Sequence, residues 1–177
     1  YKIEDNIRYN LDIVFALYEA NKRVTDQRAS LFYKPLTVFI VSIIEAILFD
    51  FVVRLDQATR QFPESLLSRM PDIKRQTGTM HIRRQRNVTQ IKDKLKSLIA
   101  FYKQTELFGR QDAGIYKDLE RAAGIRNRIH IQNVFARFER DEDWVFTKNR
   151  LEGIERMFEE VLRKMSTDYI RPDKKPI

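Results

Sequence analysis

Arg126 and His130 stand four residues apart within Asp112 to Gln132, read QDAGIYKDLERAAGIRNRIHIQ from one residue earlier. An imidazole whose ordinary pKa is about 6.5 can take or give a proton near neutral pH. A guanidinium keeps its charge and forks onto phosphate oxygens. Together they can cleave RNA without a metal. The imidazole would take the ribose 2′-hydroxyl proton or protonate the departing 5′-oxygen, and the guanidinium would hold the phosphate as charge builds on it. The products would be a 2′,3′-cyclic phosphate and a 5′-hydroxyl. In-line cleavage profits from a base on one side and an acid on the other, so a single placed histidine argues for a two-fold dimer that supplies the second.

A helix must position this pair. At roughly 100° per residue, Ile115, Leu119, Ala122, Ala123 and Ile129 share one apolar arc. Arg126 and His130 project from its middle, one turn apart. Lys117, Glu120, Arg121 and Arg128 point the other way. An arginine on an apolar face calls for a carboxylate, a crevice or an interface. A histidine on such a face can equally be a satisfied core group, and for His130 that alternative stays beside the functional one.

The carboxylate is Glu45. It lies in LTVFIVSIIEAILFDFVV, Leu36 to Val53, which is apolar almost all round and so reads as a helix surrounded by others. A charge there needs a cation or donors. Glu45 is expected to face the Arg126 and His130 stripe and orient one of them; the alternative is a boundary carboxylate. The same stretch is long enough to span a membrane, but Glu45 and Asp50 inside it favour a buried core helix and no membrane.

Around these two helices the chain supplies three more. The first runs from about Ile3 to Lys22, with Ile3, Ile7, Leu11, Val14, Leu17 and Tyr18 in one stripe. Thr25 caps the second, from about Asp26 to Arg54, which Pro35 either kinks or restarts. The third starts from Asn87, with Gln90 three residues on as in a capping box, carries Val88, Ile91, Leu95, Leu98, Ile99 and Tyr102, and stops at Gly109. Thr147 caps the last, bearing Leu151, Ile154, Met157, Phe158, Val161, Leu162 and Met165. Gln61 to Arg86 is a long connector with a short helix over Glu64 to Arg69, and its His81 reads as a solvent histidine. No strand pattern stands out. The expectation is an all-α fold of about five helices in an antiparallel, bundle-like arrangement, a single domain over residues 1–177.

Composition narrows the chemistry. No cysteine and only two histidines leave no disulfide framework, no thiolate zinc site and no histidine-rich metal centre, so neither metal nor cofactor is expected. No phosphate-binding glycine loop, zinc-protease motif, nucleophile elbow or calcium loop occurs. The net charge of +8 favours a polyanionic partner. From Lys74 to Lys96 eight basic residues face one acid, Asp93. Of these Arg83, Arg84, Arg86 and Lys92, joined by Arg128, are the expected RNA contacts. The lack of cysteine fits a cytoplasmic protein, and the chain opens at Tyr1 without methionine or a signal-peptide pattern, as expected of a trimmed chain or a domain cut from a longer one.

An all-helical chain with VSIIEAIL in its second helix and IRNRIHIQN in a later one resembles the HEPN (higher eukaryotes and prokaryotes nucleotide-binding) superfamily. In that superfamily an arginine, a polar residue and then a histidine mark metal-independent ribonucleases that dimerise to build the site. The resemblance implies that Arg126 is the arginine, Asn127 the polar residue, His130 the histidine and Glu45 the acid of the second helix. Three residues separate Arg126 from His130, one fewer than the family's usual minimum; on a regular helix that spacing keeps both on one face. Members modified by a partner nucleotidyltransferase carry a tyrosine where Gln132 stands. The resemblance implies a homodimeric endoribonuclease of toxin, defence or RNA-processing type, with a neutralising partner protein in the toxin case. The alternative is a non-catalytic helical module that binds RNA or protein.

Overall fold

A computed structural model of the chain describes residues 2–57, 83–85, 88–90, 94–126 and 142–167. It contains α1 (Lys2–Lys22), α2 (Asp26–Gln57), β1 (Arg83–Gln85), β2 (Val88–Gln90), α3 (Lys94–Gln104), α4 (Gly114–Arg126), the single turn α5 (Glu142–Val145) and α6 (Lys148–Thr167). The fold is all-α apart from β1 and β2, a short antiparallel pair with Arg83 opposite Gln90 and Gln85 opposite Val88.

The centre is α2. It packs against α1, α3, α4 and α6, as a helix without a polar face must. Leu36, Ile40, Val41, Ile43, Ile44 and Leu48 are all buried in the core, with Leu36, Ile44 and Leu48 fully so. Gln27–Val52 is long and apolar enough to cross a membrane, yet 56% of its most apolar window is covered by the rest of the chain. The helix runs through Pro35, which resolves the choice between a kink and a restart in favour of one continuous element.

Caps fix several ends. The carbonyl of Thr25 accepts the Arg28 and Ala29 amides at 2.8 and 3.0 Å, opening α2. Thr147 opens α6, its carbonyl accepting from Arg150 and Leu151 and its hydroxyl lying 3.4 Å from the Arg150 amide. Two expectations for the third helix are corrected. Val88 to Gln90 form a strand, so the helix begins at Lys94 and not beside Asn87. It also ends before Gly109, at Gln104. Glu106 adopts φ 54°, with its amide bonded to the Lys103 carbonyl and the Leu107 amide to the Tyr102 carbonyl. That is a Schellman closure with glutamate in the left-handed position usually held by glycine. Gly109, at φ 110°, turns the chain again before α4.

Long-range side-chain bonds tie the helices to one another. The Tyr102 hydroxyl donates to the Leu48 carbonyl at 3.1 Å, fastening α3 to α2. The Tyr18 hydroxyl donates to Glu155 Oε1, fastening α1 to α6.

Candidate functional site

The helix that carries the site, α4, folds on the stripe its sequence displays. Ile115, Leu119, Ala122 and Ala123 are buried, joined by Tyr116. Its last residue is Arg126, where a cation also complements the negative end of the helix dipole. One turn earlier stand Ala122 and Ala123, each 2% exposed. Such small side chains let α4 lie close to α2, so that the long side chain of Arg126 can reach across.

It reaches Glu45. Arg126 Nη2 and Glu45 Oε2 form an ion pair at 2.9 Å, linking residues on α4 and α2 that the sequence separates by most of the core. The Glu45 side chain is 10% exposed and that of Arg126 is 30% exposed. The carboxylate is therefore sunk in the core, on the helix that also buries Val41, Ile44 and Leu48, whereas the guanidinium bridges from the core to solvent. This expectation from sequence, that the buried acid of the second helix meets the arginine of the later one, holds in the fold.

Among the described residues the pair is only partly matched. Glu45 Oε1 is buried and has no hydrogen-bond partner among the described residues; the only other such side-chain atom there is Asn21 Oδ1. A buried acceptor left unmatched costs about 1–3 kcal/mol, more when it is charged. The guanidinium makes one contact of the several its fork permits, and its remaining N–H groups have no protein partner among the described residues. Among the described residues, one anionic oxygen thus lies without a donor beside a cation with donors to spare. Such an arrangement can hold a phosphate on the arginine and orient a neighbouring proton-carrying group on the carboxylate.

The remaining candidates divide between described and undescribed positions. His130, Asn127 and Arg128 lie outside the described residues, as do Arg86, Lys92, Ile129 and His81. Arg83 and Arg84 are on β1. No group of three or more histidine, cysteine or acidic residues that could hold a metal ion occurs among the described residues.

Sequence reasoning passed over Tyr116, which with Tyr102 of the third helix's apolar stripe holds α4 against α3. The Tyr116 hydroxyl accepts the Phe108 amide at 2.9 Å and lies 3.0 Å from both the Tyr102 and Gly109 carbonyls. Burial is the main reason its pKa is raised, partly offset by the Phe108 amide and helped by the charge of Glu106. Tyr116 adjoins the apolar stripe in sequence, and its neighbour Ile115 already marked that flank.

Compared with known proteins, the chain matches no family model, no curated protein and no solved structure.

Proposed function

We propose that this protein is a metal-independent endoribonuclease of HEPN type, of the toxin, defence or RNA-processing kind, acting in the cytoplasm as a homodimer. The observation that carries the reading is the ion pair of Glu45 and Arg126 at 2.9 Å, a buried carboxylate whose second oxygen has no partner among the described residues, beside a guanidinium that reaches solvent. In this reading Arg126 clamps the scissile phosphate, His130 transfers the proton, Asn127 adds a hydrogen bond and Glu45 positions the arginine. The second copy supplies the opposite acid or base. A neutralising partner protein belongs to the toxin variant of the reading, and no membrane takes part.

The test is cleavage of a labelled single-stranded RNA in EDTA by the parent and by His130→Ala, matched for folding. Cyclic phosphate ends from the parent and none from the variant are expected. An RNA panel that the parent leaves intact sinks the reading. The second reading, a non-catalytic RNA- or protein-binding module, rests on the same pair serving as a core polar link, and predicts salt-dependent binding without turnover.

A further inference from the structure

Between α4 and α6 lies a half-open groove of about 750 Å³. Its floor is apolar, formed by Ala122, Ile125, Ile154 and Met157. Its walls carry Arg121, Arg150 and Arg156 against Asp118 and Glu160. The three cations are not equivalent. Arg121 Nη1 lies 3.2 Å from Asp118 Oδ1 on the same helix. Arg150 Nη1 donates to the Val145 carbonyl at 3.0 Å, which fixes its guanidinium at the groove's end. Arg156 has neither a hydrogen bond nor an ion pair among the described residues.

Its guanidinium lies beside Gly153. Arg156 Nη2 lies 3.9 Å from where a Cβ on Gly153 would stand, and nothing else comes within 4 Å. Along α6, Asn149, Gly153, Arg156 and Glu160 follow one another at helical spacing, so the glycine is a gap in the wall over which the guanidinium lies. The volume falls in the ~300–1,000 Å³ range of small-ligand clefts, room for a nucleotide or two but not for a duplex.

We infer that this groove binds a single-stranded RNA segment, with Arg156 and Arg150 on its phosphates, Ile125 and Met157 under a base, and Asn149 beside a base edge. Guanidinium forks suit phosphate oxygens, and apolar floors flanked by arginine suit unstacked bases. Ile125 precedes Arg126 directly in the chain, so a strand in the groove follows the helix that ends at the candidate site. The ligand's identity rests on the ribonuclease reading; the groove itself does not.

The experiment is fluorescence anisotropy with a short 2′-O-methyl single-stranded oligonucleotide, which lacks the hydroxyl that cleavage requires, titrated at several salt concentrations. The full chain is compared with Arg156→Gln, Gly153→Glu and, as a control away from the groove, Arg8→Gln. Arg156→Gln is expected to weaken binding about tenfold and to reduce the salt slope by about 0.7, the value for one phosphate contact on a single strand. Gly153→Glu fills the gap with a like charge to the ligand and is expected to weaken binding at least as much, with unchanged helical circular dichroism. Groove variants that bind as the parent does, a control that loses as much as they do, or a parent that does not bind at all, each overturns the inference. A parent that binds through the groove but cuts no unmodified RNA leaves the groove standing and removes the ribonuclease reading. A parent that cuts RNA while the groove variants bind normally does the reverse.

Discussion

Among the polar sites that interrupt the described core, two are built in opposite ways. Around Tyr102 and Tyr116 every hydroxyl is used. Tyr102 donates to Leu48, Tyr116 serves Phe108 and the carbonyls of Tyr102 and Gly109, and the Thr105 hydroxyl donates to the Phe101 carbonyl at 2.6 Å. The rings close over one another, Tyr102 and Phe108 with centroids 4.8 Å apart. At Glu45 and Arg126 one carboxylate oxygen and most of the guanidinium have no partner among the described residues. A closed network spends its hydrogen bonds on the fold; an open one keeps capacity for something else.

If that contrast is right, substitutions should separate stability from activity differently at the two sites. Tyr102→Ala carries the largest expected loss, about 3–5 kcal/mol by urea unfolding as for other buried aromatics, with activity lost only as the fold is lost. Arg126→Ala strands a buried carboxylate. Because the arginine reaches solvent, its cost should sit near the low end of the range for broken buried pairs, about 3 kcal/mol, and RNA cleavage should vanish even under conditions where the variant is folded.

A smaller effect is expected from Tyr18→Phe, about 1 kcal/mol at neutral pH. Burial, and then the Glu155 carboxylate it bonds, raise the Tyr18 pKa. The folded form therefore favours the protonated phenol, and its contribution is complete below about 10 and fades as the pH rises beyond. Melting temperatures between pH 9 and 11 should fall less steeply in the phenylalanine variant. The smallest stability change belongs to the double substitution Glu45→Met with Arg126→Met. Replacing both partners by apolar residues should leave unfolding free energy within about 1 kcal/mol of the parent. Cleavage should be absent all the same. Loss of more than that would mark the pair as part of the fold, and retained cleavage would end its candidacy as a site.

Much of the site's scaffold was legible because its residues violate their surroundings. Glu45 inside an apolar helix and Arg126 on an apolar stripe each demanded a partner, and the two demands matched. Ile115, Leu119, Ala122 and Ala123 were legible from period alone. The start of α3 was not, since Asn87 and Gln90 imitate a capping box while Val88 to Gln90 find a ladder with Arg83 to Gln85. Pairing with another segment is invisible to a local motif. Its end was missed for a related reason: Glu106 takes a left-handed conformation that only the closing hydrogen bonds of the turn can impose on a glutamate. The groove arginines escaped because each, taken singly, is an ordinary exposed residue, and only the opposing helix makes them neighbours.

The central placement of α2 has a consequence for synthesis. It is complete by Gln57, whereas α6, one of the helices that cover it, begins at Lys148. At ~5–20 residues per second a ribosome needs roughly 5–20 seconds to make what lies between. Until α3 and α4 follow within that interval, from Lys94 and Gly114, a helix as apolar as a membrane span has only α1 for shelter, and nascent chains of this protein are accordingly clients for whatever binds exposed hydrophobic segments at the tunnel exit.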